Sequence, residues 1–352
     1  MRSSFSYSRK EKAPLWCKWA DIAEIVAIDS HYHKQRSSIP TLCQVGPTRQ
    51  YLLIRASLKP YTISCYTTGS ESRAFKEVFA FRICIFGSPT LTFRRAMNSV
   101  IYGPVPSWRL GRSLGIDLLC APGKTCSFDC VYCQLGRTTN PTTERGEFVS
   151  LARLAEELKG VRGITADYVT FSGTGEPTLA GNLGQAIKVA KSILPLPIAV
   201  LTNSSLMSRE DVRDELAKAD VVVAKLDAHN QELFEQVNRP VADLTLSDIL
   251  EGIKLFRSKF AGKLCLQVMF IEANKTFARE IAQIASLLSL DEVQLNTPLR
   301  PCAVKPLTPS QMAFIKADFA SFICPVVTVY EAPKPEVKPL NLQETLRRRP
   351  KL

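Results

Sequence analysis

The chain predicts an α/β fold in which a parallel sheet, with helices outside it, curls into a complete or partial barrel. Three observations lead there. From Gly115 onward, short apolar runs of strand type alternate with stretches of helical periodicity, six times over. That alternation is the pattern of a parallel sheet, and right-handed crossovers curl such a sheet. The residues with chemical character fall just after strand ends, where barrels of this kind place their ligands.

The elements follow in order. Gly115–Leu119 reads as the first strand. Leu151, Leu154 and Leu158 recur at helical spacing and predict a helix over 151–160. Tyr168–Ser172 is the second strand and Asn182–Leu194 a helix, closed by Pro195 and Pro197. Ile198–Thr202 is the third strand, Arg209–Ala219 a helix, and Val221–Leu226 the fourth strand. Ser247–Phe260 is a helix with Ser247 as its expected N-cap. Leu264–Ile271, a helix over Thr276–Ser289, and Glu292–Asn296 complete the six strands. A helix at Ser310–Ala320 and a short strand at Val326–Tyr330 follow.

Residues 1–96 read differently. They carry 15 Lys/Arg against 6 Asp/Glu, a net +9, whereas the rest of the chain carries 30 against 27, a net +3. The overall +12 therefore says little about the main domain, and a nucleic-acid role does not follow from charge alone. Periodicity is poor in this segment, and no Met lies between Met1 and Met97. We expect a poorly structured N-terminal extension over 1–96 and a core domain over 97–332; three readings compete for the extension, a start placed too far upstream with Met97 the real one, which is favoured, an organelle transit peptide suggested by Arg2, Ser3, Ser4 and Arg9, and an accessory domain. The Pro- and Arg-rich tail over 333–352 is expected to be a loosely packed, solvated end. An apolar fraction of 45 % and a charged fraction of 22 % are ordinary for a globular protein. No apolar run nears the roughly 18 residues needed to span a bilayer, so a soluble, cytoplasmic protein without a membrane partner is expected.

The chain has 11 cysteines, an odd number that does not suit a secreted disulfide framework. Cys126, Cys130 and Cys133 spell C-x3-C-x2-C. Three thiolates on one short loop can hold three irons of a cubane, and no fourth cysteine follows at ferredoxin spacing. The fourth iron is then open to an outside ligand. Zinc would ask for a fourth donor, but no second cysteine pair is visible and the only histidines are His31, His33 and His229. Tyr132, beside the third cysteine, is expected to pack against a cluster or a bound base. Thr170–Thr178 ends a strand with Gly173, Gly175 and the carboxylate of Glu176. Glycines there let the backbone approach a ligand closely, and exposed carbonyls with Glu176 could accept hydrogen bonds from an ammonium group.

Together, Cys126–Cys133 and Gly173–Pro177 resemble the radical S-adenosylmethionine (SAM) superfamily, the second stretch matching its "GGEP" motif as Gly-Thr-Gly-Glu-Pro. Four further segments, Tyr102–Ser107, Leu110–Asp117, Lys124–Arg137 and Val293–Pro298, resemble one branch: iron–sulfur oxidoreductases related to the tRNA wyosine-synthesis enzyme, 4-demethylwyosine synthase. The resemblance spans about 97 to 330. It implies an incomplete (β/α)6 TIM-like barrel, a [4Fe–4S] cluster on Cys126, Cys130 and Cys133, and SAM bound at the open iron. It implies that Glu176 and Gly175 contact the methionyl amino group and Asn203 the ribose, while Lys225, Asp227 and Asn296 face the cavity. It also implies an electron donor such as flavodoxin or ferredoxin, and tRNA as one candidate substrate. Three departures stand out. Trp108-Arg109 replaces a usual arginine pair, the link Leu119–Lys124 is long, and the winged-helix-like domain expected after 344–350 is missing. Cys120 and Cys302 are loose candidates for auxiliary ligands, more simply read as incidental. The rival class is a metal-stabilised binding protein without catalysis.

Overall fold

The computed structural model describes residues 41–44, 51–54, 98–241 and 243–350. The chain divides into two compact units, Met1–Phe93 and Arg94–Leu352. In the first, β1 (Thr41–Gln44) and β2 (Tyr51–Ile54) pair antiparallel. The expectations for the rest of residues 1–96, and for Met97 as a start, lie outside the described residues.

The second unit is built on one eight-stranded sheet. Its strands in chain order are β3 (Ile101–Ser107), β4 (Gly111–Ile116), β7 (Tyr168–Phe171), β8 (Ile198–Leu201), β9 (Val221–Lys225), β10 (Lys263–Met269), β11 (Glu292–Asn296) and β12 (Val326–Thr328). The small strands β5 (Thr125–Cys126) and β6 (Asn140–Pro141) pair separately. In space the order is β12-β11-β10-β9-β8-β7-β4-β3, and β3 does not pair with β12. The sheet is therefore curled but open, an incomplete barrel. Every neighbouring pair is parallel except β3–β4.

Alternation along the strands separates two faces. Leu114, Ile116, Val169, Phe171, Ile198, Val200, Val222, Leu266 and Val293 all join one apolar core beneath the helices. Burying each such side chain contributes about 1.5–3 kcal/mol. The intervening residues face inward. At the floor Leu110, Ala199, Val221, Val223 and Cys265 form a small separate cluster. The Ser113 and Thr170 hydroxyls hydrogen-bond each other at 2.7 Å on that same inner face.

The crossovers carry α1 (Leu151–Lys159), α2 (Leu183–Ile193), α3 (Glu210–Leu216), α4 (Gln231–Asn238), α5 (Leu246–Lys259), α6 (Ala278–Ala285) and α7 (Pro309–Ala317), and α8 (Leu342–Arg348) ends the described chain. Four expectations need correction. The first parallel strand is Gly111–Ile116, not Gly115–Leu119: the buried Asp117 carboxylate accepts from the Leu119 and Cys120 amides and turns the chain there. The cap of α5 is Thr245, in a capping box with Asp248, rather than Ser247. Helix α4 was not expected; Asn230 caps it, and Leu233, Phe234 and Val237 form its buried stripe.

The tail is not a loose, solvated end. The Leu340 amide donates to Gly103 O at 2.6 Å and the Gly103 amide to Thr345 Oγ1 at 3.1 Å. Arg348, in α8, bonds Asp117 Oδ2 through Nε at 2.8 Å, with both side chains essentially buried. It also donates to Ser99 O at 2.6 Å. Removing one member of such a pair strands a buried charge. Arg348→Ala is therefore expected to lose about 3–5 kcal/mol of stability, read as a lower midpoint in urea unfolding of the full chain.

Candidate functional site

The site assembles at the carboxyl ends of the strands, from connections rather than from the strands themselves. After β4 the chain turns at Asp117 and returns as the loop bearing Cys126, Cys130 and Cys133. Two backbone hydrogen bonds seat this loop on the turn after β7: Thr125 N to Thr174 O at 3.0 Å, and Glu176 N to Thr125 O at 3.1 Å. The close approach explains the glycines. A Cβ on Gly175 would overlap the Thr125 carbonyl, and one on Gly173 would collide with the Asp117 carboxylate. Gly175 makes way for the chain's own backbone and Gly173 for Asp117.

The far side of the loop rests on the end of α4. Asp129 N and Val131 N donate to Arg239 O and Val237 O, both at 3.0 Å, and Val241 N donates to Ser127 O at 2.8 Å. Two amide side chains reach the sulfurs. Asn203 Nδ2, from the end of β8, lies 3.6 Å from Cys126 Sγ and 2.9 Å from Ser127 Oγ. Asn238 Nδ2 lies 3.6 Å from Cys130 Sγ. Such N–H donors stabilise thiolate charge and tune a cluster's potential.

Electrostatics favour a bound ion here. Burial pushes the Cys126 thiol up to about 12 and raises Cys130 as well; metal ligation would take the place of their protons. Lys124 Nζ is buried beside them with no hydrogen-bond partner among the described residues. Burial works against its charge, but the sulfurs of Cys133, Cys126 and Cys130 prevail and hold its pKa above the usual lysine value. A buried cation beside three sulfurs fits a sulfur-rich anionic group. Among the described residues, no three His, Cys, Asp or Glu side chains converge on a point that would hold a single metal ion.

Glu176 is fully buried. Its Oε1 accepts from Thr178 N, Thr178 Oγ1 and Thr202 Oγ1 at 3.0, 2.7 and 2.8 Å, and its Oε2 from Asn203 N at 2.6 Å. Burial still lifts its pKa above the ordinary carboxylate value, against the pull of those donors. Within the chain itself, the carboxylate joins the ends of β7 and β8.

Tyr132, Lys225 and Asp227 come together. The Tyr132 hydroxyl and Asn238 Nδ2 both donate to Asp227 Oδ2, while Met269 N donates to Oδ1 at 2.7 Å. Lys225 Nζ lies 3.5 Å from Asp227 Oδ2 and 4.5 Å from the Tyr132 ring centre. Burial, then the Asp227 charge, holds the Tyr132 hydroxyl well above its usual pKa. Asn296, at the end of β11, accepts from its neighbour Thr297 N through Oδ1 at 3.0 Å. Cys120 Sγ turns to Asn98 O, and Cys302 Sγ to Val304 O, each at 3.2 Å.

Sequence reasoning missed Asp117, Lys124 and Asn238 as site residues. Asp117 and Lys124 lay in segments whose resemblance was noted, and Asn238 ends a helix whose Leu233, Phe234 and Val237 spacing was a readable signal.

The profile of the "Radical SAM superfamily" matches residues 121–276. A UPF0026 protein of Methanocaldococcus jannaschii is 39 % identical over 231 residues, covering 64 % of this chain and 71 % of that one. A UPF0026 protein of Synechocystis is 42 % identical over 208 residues, covering 59 % and 77 %. Among solved structures, Streptococcus suis SuiB bound to S-adenosylmethionine is similar with a TM-score of 0.47 and 13 % identity, over 59 % of this chain and 48 % of that one. The match thus spans about half of SuiB.

Gly175→Ala tests the seating of the loop. The Thr125 carbonyl must shift, and Cys126 moves with it. Iron content after anaerobic reconstitution is expected to fall several-fold, while far-UV circular dichroism stays that of the parent.

Proposed function

We infer the function from one premise: the chain belongs to the UPF0026 family, within the radical SAM superfamily. It is an enzyme of that superfamily, and its cofactors are a [4Fe–4S] cluster and S-adenosylmethionine. In our reading Cys126, Cys130 and Cys133 hold three irons and leave the fourth for SAM. When bound, this pair supplies a 5′-deoxyadenosyl radical that abstracts hydrogen from substrate.

The chain's own residues do the rest. Asn203 and Asn238 donate N–H groups toward two sulfurs, and Lys124 offsets the negative charge. Glu176 acts as a positioning residue, holding Asn203 and the Thr178 turn where they can meet SAM. Tyr132 and Asp227 brace the loop over the end of β9, and the loop keeps water from the reacting face. The observation that carries this reading is the seating of the loop with three neighbouring cysteines on the glycine turn at the carboxyl ends of the strands.

The finer reading rests on the segments at 102–107, 110–117, 124–137 and 293–298. They support a branch related to the wyosine-synthesis enzymes, with a tRNA base as candidate substrate, flavodoxin or ferredoxin as electron donor, and the cytoplasm as the place of action. No helix among the described residues is long and apolar enough to cross a membrane.

Anaerobic reconstitution with iron and sulfide tests the core. The full chain should gain brown cluster absorbance and, once reduced, release 5′-deoxyadenosine from SAM. Cys130→Ala should lose both. A chain that takes up only zinc, or no metal, would overturn the assignment in favour of a binding protein. Glu176→Gln turns an acceptor at the Asn203 amide into a donor. We expect SAM affinity to fall about tenfold, from one mispaired buried group, with iron content close to the parent's; unchanged affinity would remove Glu176 from the site.

A further inference from the structure

Two buried amides on the inner face of the sheet have no part in the chemistry so far. Leu266 and Val268 of β10, and Val293 and Leu295 of β11, belong to the apolar core beneath the helices. Alternation along the strands therefore turns Gln267 and Gln294 the other way, into the lumen. The two are direct partners in the parallel register of β10 and β11, and Lys225 of β9 is the partner of Gln267 on its other flank. Lys225, Gln267 and Gln294 thus form one row across three neighbouring strands. The row stands two residues above Val223 and Cys265, register partners in the apolar floor. It stands two residues below Met269 and Asn296, register partners at the strand ends.

Gln267 and Gln294 are 7 % and 1 % exposed. Gln267 Nε2 and Gln294 Oε1 are buried without a hydrogen-bond partner among the described residues. The orientation of the Gln294 amide is fixed from below. Its Nε2 donates to Glu292 Oε1 at 2.7 Å, and Lys263 Nζ holds Glu292 Oε2 at 2.6 Å. An ionised carboxylate only accepts, so the amide keeps its N–H toward Glu292 and turns its oxygen away. The row therefore presents one donor, Gln267 Nε2, beside one acceptor, Gln294 Oε1, on strands about 4.8 Å apart. Buried amides are ordinarily satisfied, and an unpaired one bears the full cost of its desolvation. The charges around the pair are matched within the chain, Glu292 by Lys263 and Asp227 by Lys225 at 3.5 Å. The missing partner is thus a neutral group that carries an acceptor beside a donor. At its other end the row reaches the cysteine loop, because Lys225 Nζ lies 4.5 Å from the ring centre of Tyr132.

We propose that Gln267 and Gln294 bind a neutral amide edge of the substrate, a C=O beside an N–H as in a lactam or a primary carboxamide. Gln267 Nε2 donates to the carbonyl oxygen, and Gln294 Oε1 accepts from the N–H. The proposal rests on the radical SAM reading for its catalytic meaning and deepens it by naming the group that holds the substrate in the lumen. A substrate whose amide nitrogen is alkylated has no N–H for Gln294 and leaves that oxygen buried and unpaired, which gives the site its discrimination.

Two measurements on the full, anaerobically reconstituted chain test it. The first is calorimetric titration, in the presence of SAM, with uridine and with nicotinamide, each beside its blocked form, 3-methyluridine or N,N-dimethylnicotinamide. One parent probe should bind about tenfold or more tightly than its blocked form, the worth of one buried hydrogen bond. Which parent binds tells a lactam from a carboxamide. Gln267→Met should weaken that binding about tenfold, with iron content unchanged. The second is urea unfolding without a probe. Gln267→Met removes an unpaired amide nitrogen at similar side-chain volume, so the midpoint should hold or rise, whereas an amide satisfied inside the fold would lower it. Absence of binding by both parents, blocked forms that bind as well as their parents, binding indifferent to Gln267→Met, or a lower midpoint in that variant would each overturn the proposal. Iron content and 5′-deoxyadenosine release from the same preparation separate the two readings. A chain that loads iron and cleaves SAM without binding either parent sinks the amide site alone; one that binds a parent probe through Gln267 without taking up iron sinks the radical reading alone.

Discussion

The Thr125 peptide is held by Thr174 and Glu176 through two backbone hydrogen bonds, and the position of the sulfurs depends on that small ladder. It exists because Gly175 has no side chain to push the Thr125 carbonyl away. Once the loop is seated, Cys126 comes under the Asn203 amide and Cys130 under Asn238. Glu176 then ties the arrangement to β8, because its second oxygen takes the Asn203 N–H. The carboxylate is buried, with three donors on Oε1 and one on Oε2, and it organises the backbone at the ends of both strands. A motif known for ligand contact is here also the joint between two loops.

Asp117 is the second joint. One buried carboxylate receives the Leu119 and Cys120 amides, the Thr174 hydroxyl and Arg348. The turn into the cysteine loop, the glycine turn and the C-terminal helix are therefore mechanically one piece. A buried ion pair of this kind costs desolvation and is weak evidence of net stability. Its effect here is geometric: it sets where α8 ends.

The sheet divides the chemistry between its faces. The outer face is a continuous apolar core. The inner face carries an apolar cluster at the floor and, further along the strands, the Ser113 and Thr170 hydroxyls and the Gln267 and Gln294 amides. A folded chain spends stability on buried polar groups without partners, and such groups collect where a ligand supplies the partner.

Much of this was written locally in the chain. The alternation from Tyr168 to Asn296 was legible because strand and helix periods differ, and C-x3-C-x2-C was legible because a single loop must supply its sulfurs. What escaped was non-local. The first strand was read four residues late at its start because Arg112 and Ser113 look unlike a core strand; they serve its edge and its inner face. Arg348 looked solvated because its run of arginines is polar, and only the fold brings it against Asp117, 231 positions away. Nothing in the spacing of Gln267 and Gln294 says that they stand side by side. The sequence by itself determined the repeating fold and the sulfur trio, since both follow from short-range periodicity and covalent proximity. Tertiary structure alone decided which polar groups find partners and which are left facing the lumen, since that depends on how distant segments meet when the sheet curls.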